Sequence, residues 1–238
     1  LTNDDGITAP GLIALYRAIR DLGEVLVVAP AGHESGTSHA VTFDKPFLGE
    51  STVMTDAGGR EWFEGIAVRG TPRVIRGMDG GANLGINVYY SGTVAAAREA
   101  ALLGLPAIAV SLHIGNRRKT RWAEAAKHAR TVIEQLLQGP IEPRTVLNVN
   151  VPILDDGAEP RGLRVAPIST SPMAEQYESI TIDTGDRTYR LVDSFVFRDM
   201  PDDTDVHCLF NGYITLTPLH FDPTHHDHVD TWLRHLRV

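Results

Sequence analysis

Apolar positions in the first thirty residues follow two different patterns. Leu12, Leu15, Ile19 and Leu22 recur at spacings of three and four residues, which predicts an amphipathic helix. Residues 24–30 form a nearly continuous apolar run of strand length that ends at a proline, as strands buried on both faces of a sheet do. Together with a strand that ends just before the helix, these elements predict a βαβ unit with a right-handed crossover.

The alternation of strand and helix continues through the first two thirds of the chain. Residues 107–111 and 145–152 are further apolar runs of strand length, and residues 94–103 and 122–137 carry helical patterns. The predicted fold class is therefore α/β, with a doubly wound, mostly parallel, Rossmann-like sheet over residues 1–152.

Two regions have a different pattern. Short apolar pairs within residues 42–68 predict short strands that form an excursion from the parallel sheet. Residues 153–238 predict a C-terminal β-hairpin extension, a returning strand and a terminal helix. The hairpin strands are residues 179–183 and 187–192, and the returning strand is residues 212–219. A lone hairpin is marginally stable, so this one needs a partner surface.

Composition narrows the class of protein. The chain has 238 residues, 42% of them hydrophobic, and a formal net charge of −8, which argues against nucleic-acid duplexes or anionic membranes as partners. Its single cysteine, Cys208, excludes an intrachain disulfide framework and fits a reducing, cytoplasmic compartment. No apolar run reaches membrane-spanning length and no signal peptide is visible. Because Leu1 is not Met, we expect a short N-terminal piece to precede it.

Carboxylates cluster where the first strand is predicted to end. Asn3, Asp4, Asp5 and Gly6 lie between that strand and the first helix, and carboxylate and amide oxygens are the ligands that Mg²⁺ and Mn²⁺ accept. The alternative is a simple turn, because Asn, Asp and Gly favour turns for local reasons.

The loop after Pro30 faces the same edge of the predicted sheet. Its Ser35 is a candidate metal or phosphate contact, and capping of the loop backbone is the alternative. A Ser35/His39 nucleophilic pair is a third hypothesis, but no Gly-x-Ser-x-Gly elbow surrounds the serine.

A glycine-rich loop bearing Asp79, Asn83 and Asn87 precedes the segment Ser91-Gly92-Thr93 and an alanine-rich helix. Serine and threonine there are ordinary N-caps, and they are equally what an anion site at a helix N-terminus requires. Both interpretations stay open on these residues alone.

Two further polar clusters are interpreted as solvent-exposed segments. Residues 116–121 form the one basic cluster, which is interpreted as a solvated loop, and a patch that faces substrate is the alternative. The His-His-Asp-His run at residues 225–228 is interpreted as a solvated lead into the last helix, because no second ligand group stands at a fixed spacing from it.

Several segments together resemble the survival protein SurE family of metal-dependent nucleotidases. The matching segments are Thr2-Asn3-Asp4-Asp5-Gly6, Val27-Val28-Ala29-Pro30, Ser35-Gly36-Thr37-Ser38, Gly70-Thr71-Pro72, Asn83-Leu84-Gly85, Tyr90-Ser91-Gly92-Thr93-Val94-Ala95-Ala96, Ala107-Ile108-Ala109-Val110-Ser111-Leu112, Leu147-Asn148-Val149-Asn150-Val151-Pro152, Gly212-Tyr213-Ile214-Thr215 and Thr217-Pro218-Leu219. They occur in family order over nearly the whole chain, so the combination is specific.

The resemblance implies a set of site residues. Asp4, Asp5 and Ser35 match metal ligands of the family, and the remaining ligand, an Asn in the family, falls on Asp79. The phosphate-binding set matches four positions: Asn83, Ser91, Gly92 and Thr93.

Two departures from the family pattern touch this site. The segment between Gly70-Thr71-Pro72 and Asp79 is much shorter than in the family, and Glu34 stands before Ser35 where many members carry Arg.

The expected function is a phosphomonoesterase that hydrolyses nucleoside 5′- or 3′-monophosphates with one Mg²⁺ or Mn²⁺. Metal-bound water is one candidate for the attacking group, and Asp4 and Asp5 are the candidate catalytic residues, as base or nucleophile. A nucleotide-binding module of the same fold with impaired catalysis is the alternative, since Asp79 and the shortened segment both touch the site. The resemblance also implies a homodimer or homotetramer. The preferred base and the 5′ or 3′ preference do not follow from the sequence.

Overall fold

The computed structural model describes residues 1–32, 48–55, 61–69, 79–114, 120–155, 157–181, 187–197 and 199–237. The helices in these ranges are α1 (Pro10–Ile19), α2 (Gly92–Leu102), α3 (Trp122–Leu137), α4 (Asp205–Phe210) and α5 (His226–Leu236), with a short 3₁₀ helix at Gly85–Tyr89. The strands are β1 (Val27–Pro30), β2 (Leu48–Thr55), β3 (Glu61–Arg69), β4 (Asp79–Gly80), β5 (Ala107–Leu112), β6 (Thr145–Val151), β7 (Leu163–Val165), β8 (Met173–Thr181), β9 (Arg187–Phe197) and β10 (Ile214–His220).

The predicted α/β class is confirmed by the sheet topology. One sheet has the order β4-β5-β6-β10-β7, in which β4, β5 and β6 are parallel and β10 runs antiparallel to β6. A second sheet has the order β1-β3-β2. Helices alternate with the parallel strands along the chain, so the core is doubly wound with a mostly parallel sheet.

Helices cover both faces of the five-stranded sheet. Buried residues of α3, together with Leu15 of α1, pack against Val110 and Val149 on one face. On the other face, α2 packs small side chains such as Ala97 and Ala101 against β5 and β6. Side chains alternate along a strand, so β5 and β6 contribute to both layers of the core.

The excursion predicted for residues 42–68 is wrong in one respect. β3 pairs in parallel with β1, Val27 opposite Gly65, so it belongs to the sheet of β1 instead of leaving it. The strand predicted to end just before α1 is not found, because residues 1–9 form no strand. β2 pairs antiparallel with β3, and the two strands are longer than the short pairs suggested. Residues 42–43 lie outside the described residues.

The C-terminal hairpin is confirmed and is longer than predicted. β8 and β9 pair antiparallel from Met173 opposite Phe197 to Thr181 opposite Arg187, and the turn between them lies outside the described residues. The returning strand is β10, which lies beside β6 in the main sheet. Neither β7 nor α4 was predicted, because three and six residues are too short to show a period.

The terminal helix α5 forms as predicted, and none of its residues is buried. Within the described part of the chain, no helix is both long and apolar enough to cross a membrane.

Candidate active site

The segment with the two carboxylates lies beside the end of β1. Leu1 accepts a hydrogen bond from the Val28 amide at 2.9 Å, and the Ile7 amide donates to the Pro30 carbonyl at 2.8 Å. These two bonds fix both ends of the turn that carries Asp4. The carboxylates therefore stand at the carboxyl end of a strand, where open α/β sheets bind their ligands.

Asn3 and Gly6 determine the shape of this turn. The Gly6 amide donates to the Asn3 side-chain oxygen at 3.1 Å, and Asn3 is fully buried. Gly6 has φ +106°, and a Cβ there would lie 3.3 Å from the Gly32 backbone. A side chain at position 6 would therefore be strained and crowded, so the turn requires glycine.

Asp4 and Asp5 differ in exposure. Asp4 is 4% exposed and Asp5 is half-buried. A carboxylate removed from water is stable when it has partners or a cation beside it. The two side chains supply hard oxygen donors of the kind that Mg²⁺ and Mn²⁺ take, and this donor chemistry fits the implied ion.

These two carboxylates do not complete a metal site by themselves. No group of three or more His, Cys, Asp or Glu side chains that could hold a metal is found among the described residues. The other ligands expected from the sequence are Ser35, which lies outside the described residues, and Asp79.

Asp79 begins β4, the edge strand of the five-stranded sheet. It is opposite Ser111 of β5, and β4 is in contact with α1, the helix that follows Asp4 and Asp5. The fold therefore brings the backbone of Asp79 to the element that the carboxylate turn leads into. The placement of its side chain stays a prediction.

Asn83 is the centre of a polar cluster at the ends of β5 and β6. Its side-chain amide donates a short hydrogen bond to the Ser111 hydroxyl. Its backbone amide donates to the Asn150 side-chain oxygen at 2.7 Å, and its carbonyl accepts from the Asn148 side chain at 2.8 Å and from Asn150 at 3.2 Å. The position of Asn83 is thus fixed by side chains from two strands.

The N-terminus of α2 follows this cluster. Ser91 is the N-cap, and its hydroxyl oxygen accepts from the Val94 amide at 3.0 Å, which confirms the capping interpretation. Gly92 and Thr93 are buried in the first turn, where backbone N–H groups have no intrahelical acceptor. The cap does not exclude an anion, because the N-terminus of a helix carries partial positive charge that favours one.

The structure adds residues that the sequence reasoning missed. Asn87, Asn148, Asn150 and Ser111 are at most 5% exposed. The side-chain oxygens of Asn87 and Asn148 have no hydrogen-bond partner within the part of the chain that the structure describes. Buried polar atoms that lack a hydrogen-bond partner are rare and require an explanation, such as a ligand. Asn148 and Asn150 alternate with valines in an apolar strand, and that polar alternation was the available signal.

A small pocket lies at the carboxyl ends of β5 and β6, beside the start of α3. Its lining is mixed: Leu112, His113, Ile114, Thr120, Arg121, Glu124, Ala125, His128, Val151, Pro152, Ile153, Leu154 and Ala158. The His113 ring packs against Phe210 with centroids 5.1 Å apart, and burial lowers the pKa of the imidazole. Of the basic cluster, Arg121 pairs with Glu124 at 2.7 Å, whereas residues 116–119 are outside the described residues.

Two other candidates from the sequence remain: the Ser35/His39 pair and the His-rich run at residues 225–228. Ser35 and His39 both fall outside the described residues. The run at residues 225–228 is exposed and opens α5 as expected, and His226 there bonds to the Asp222 carboxylate at 2.8 Å.

Comparison with known proteins identifies similar chains. The model of the family described as survival protein SurE matches residues 1–175. The 5′-nucleotidase SurE of Marinobacter nauticus is 38% identical over 239 residues, covering 95% of this chain and 91% of that protein. The 5′-nucleotidase SurE of Geobacter sp. (strain M21) is 37% identical over 257 residues, covering 97% and 96%.

A solved structure gives the same result for the fold. The crystal structure of the SurE protein from Aquifex aeolicus superposes with a TM-score of 0.81 at 30% identity, covering 98% of this chain and 97% of that one. The resemblance inferred from the motifs is therefore confirmed, and the chain belongs to the survival protein SurE family.

Proposed function

We infer that this chain is a divalent-metal-dependent phosphomonoesterase that hydrolyses nucleoside 5′- or 3′-monophosphates to nucleoside and phosphate. The relatives named 5′-nucleotidase SurE match it over nearly its whole length. The observation that carries the chemistry is the pair Asp4 and Asp5 at the carboxyl end of a strand, one buried and one half-buried.

The cation-binding set is Asp4, Asp5, Ser35 and Asp79. Mg²⁺ or Mn²⁺ bound there would polarise a phosphoryl oxygen of the substrate as a Lewis acid. Two carboxylates with a hydroxyl and a further oxygen donor suit such hard ions better than a soft transition metal.

The phosphate-binding set is Asn83, Ser91, Gly92 and Thr93. The first-turn amides of α2 point along the helix axis at an incoming anion. Asn83 is fixed by Ser111, Asn148 and Asn150, so it is preorganised for an oxyanion whose charge changes during reaction. Preorganised donors are effective because they need not reorient as the bond to the leaving oxygen breaks.

Proton transfer falls to the carboxylate pair. Asp4 and Asp5 are the titratable side chains of the turn itself, and a carboxylate beside the phosphate can accept the proton of an attacking water. The same carboxyl group can return that proton to the leaving nucleoside oxygen, which then departs as an alcohol.

The roles of Asp4 and Asp5 are tested by measuring the turnover of variants in which the size of the side chain is kept. Asp4→Asn and Asp5→Asn should each lower kcat by about a hundred-fold or more, because each loses a ligand charge and a proton acceptor. Asp230→Asn, the same change at an exposed position of α5, should leave kcat unchanged. Phosphate release is measured over a panel of nucleoside monophosphates with Mg²⁺ and Mn²⁺, and circular dichroism verifies folding.

The same assay separates the alternative hypotheses. A metal phosphatase loses release when a chelator is added and regains it with the ion. A binding module with impaired catalysis would bind nucleotide without releasing phosphate. A serine hydrolase would have the same activity with and without the chelator. Wild-type turnover in both variants at saturating metal would refute the assignment of Asp4 and Asp5.

A further inference from the structure

A fully buried carboxylate, Asp205, joins three separate segments of the chain. One of its oxygens accepts from the Gly85 amide at 2.8 Å. The other accepts from the Ser169 amide and from the Val206 amide, each at 2.8 Å. Its own backbone amide donates to the Pro167 carbonyl at 2.9 Å. The glycine-rich loop, the segment after β7 and the start of α4 therefore meet at one side chain.

The chemistry of this junction favours a structural anion. Burial raises the pKa of Asp205, because a charged carboxyl loses hydration, and the backbone N–H donors oppose that effect. Hydrogen bonds to a charged acceptor are stronger than those to a neutral acceptor. A substitution that removes one of the acceptor oxygens leaves a buried N–H without a hydrogen-bond partner. The junction is thus sensitive to the loss of a single acceptor.

Apolar packing holds the same two elements together. Leu84 of the loop is buried against Val206 and Leu209 of α4, with Phe197 at the margin of the cluster. α4 therefore supports the loop through side-chain packing on one side of Gly85 and through a carboxylate at Gly85 itself.

Gly85 is required for this close approach. It has φ +51°, and a Cβ there would lie 2.8 Å from the Ser169 carbonyl oxygen. That separation is below contact distance to a backbone atom, so only glycine brings the loop this near to the Ser169 segment.

Along the chain, Gly85 lies between the two halves of the proposed phosphate site. Asn83 is two residues before it, and the 3₁₀ helix that starts at Gly85 leads to Ser91, whose amide donates to the Asn87 carbonyl at 3.0 Å. A shift of Gly85 would change the separation between Asn83 and the N-terminus of α2.

We propose that Asp205 is a positioning residue of the phosphate site. Its carboxylate fixes the Gly85 amide and thereby the separation of Asn83 from the first-turn amides of α2. This inference rests on the proposed function for the identity of the ligand. It assigns part of the site's geometry to α4, which lies beyond residues 1–175 matched by the family model.

Asp205→Asn tests the proposal with almost no change in size. An amide offers one acceptor oxygen, so it can satisfy Ser169 and Val206 only by turning its NH₂ toward the Gly85 N–H. We expect KM for a nucleoside monophosphate to rise by about ten-fold and kcat to change less, the size of effect that loss of one charged hydrogen bond produces. The rise in Tm that inorganic phosphate gives the metal-loaded wild type should shrink in the variant.

Thr204→Ala is the matched control. Thr204 caps α4 by accepting from the His207 amide, and it lies next to Asp205 without contacting Gly85 in that role. This variant should lose stability and keep the wild-type KM and phosphate response. An equal rise in KM in Thr204→Ala would overturn the positioning role, as would a folded Asp205→Asn with wild-type KM and phosphate response.

Amide hydrogen exchange in the wild type tests the coupling between Asp205 and the phosphate site even if Asp205→Asn does not fold. Phosphate added to the metal-loaded protein should slow exchange at Gly85 and, through Asp205, at Ser169. Protection confined to Asn83 and the start of α2 would refute the coupling. Absence of phosphate release from every nucleotide by the wild type would instead refute the proposed function, which the exchange at Gly85 does not test.

Discussion

The family resemblance implies that Asp79 stands at the position of an asparagine ligand, and the difference is one charge. Both side chains offer an oxygen at similar reach. Asp79 would place a third carboxylate beside Asp4 and Asp5, which should strengthen cation binding and increase repulsion of an anionic phosphate. The backbone of Asp79 lies at the edge strand that contacts α1, which is consistent with a ligand role.

Asp79→Asn should therefore bind Mn²⁺ less tightly and still have a lower KM for a nucleoside monophosphate. Asp79→Ala should lose both metal affinity and turnover, because it retains no side-chain oxygen. Calorimetric titration of Mn²⁺ into the wild type and both variants measures the first effect, and steady-state kinetics measures the second. If Asp79→Ala binds Mn²⁺ as tightly as the wild type, the ligand role of Asp79 is wrong and Asn83 is the next candidate ligand.

For single residues, the sequence predicted the candidate site residues that lie in recognisable motifs. It did not predict the residues, such as Asp205, that hold those motifs in place. Asp4, Asp5, Asn83 and Ser91 stand in segments whose pattern resembles a family. Asp205 has no such local signal, because its three hydrogen bonds reach residues as far as position 85 in the chain. A single buried carboxylate is recognised only when its partners are known, and those partners are set by tertiary structure.

At the scale of elements, the end of β5 is joined to β6 and to α4 through His113. Its backbone amide donates to the Val151 carbonyl at 3.0 Å, and its ring packs against Phe210. The ring is partly withdrawn from water, so the neutral imidazole is favoured and the pKa is lowered. Protonation of His113 should therefore weaken this junction.

The sign of the resulting pH dependence follows from linkage. The unfolded chain binds the proton at the ordinary imidazole pKa of about 6.5, above the folded value, so the stability that His113 contributes is fully present above about pH 6.5 and is lost as the pH falls. As the pH falls below about 6.5, the free energy of unfolding should therefore decrease less steeply in His113→Gln than in the wild type. Urea denaturation measures the slope, and NMR titration of the ring measures the pKa directly. Equal slopes would contradict the prediction.

Prediction of elements succeeded where a period was long enough to show. α3 has the predicted bounds, because sixteen residues carry several turns of an apolar stripe. β3 was misplaced because its residues indicate a strand but do not identify its neighbour, and the parallel pairing with β1 depends on the sheet as a whole. α4 was missed because six residues give fewer than two helical turns.

At the scale of the whole molecule, two elements of the described residues stand apart from the two larger sheets. The hairpin β8–β9 forms a separate two-stranded sheet. α5 buries none of its residues, yet Val229, Trp232, Leu233 and Leu236 recur at spacings of three and four on one stripe, with Trp232 58% exposed. A stripe of this kind on an amphipathic helix is stabilised when another surface covers it.

We propose that a second copy of the chain covers these elements, as the family resemblance suggests, in a homodimer or homotetramer. Light scattering at micromolar concentration should then give at least twice the mass of one chain. The double variant Trp232→Ser and Leu236→Ser should lower that mass, because burial of a large apolar side chain contributes about 1.5–3 kcal/mol. Asp230→Ser, an exposed change on the same helix, is the control and should keep the wild-type mass. A stable wild-type monomer would refute self-association, and a double variant with unchanged mass would place the interface elsewhere than α5.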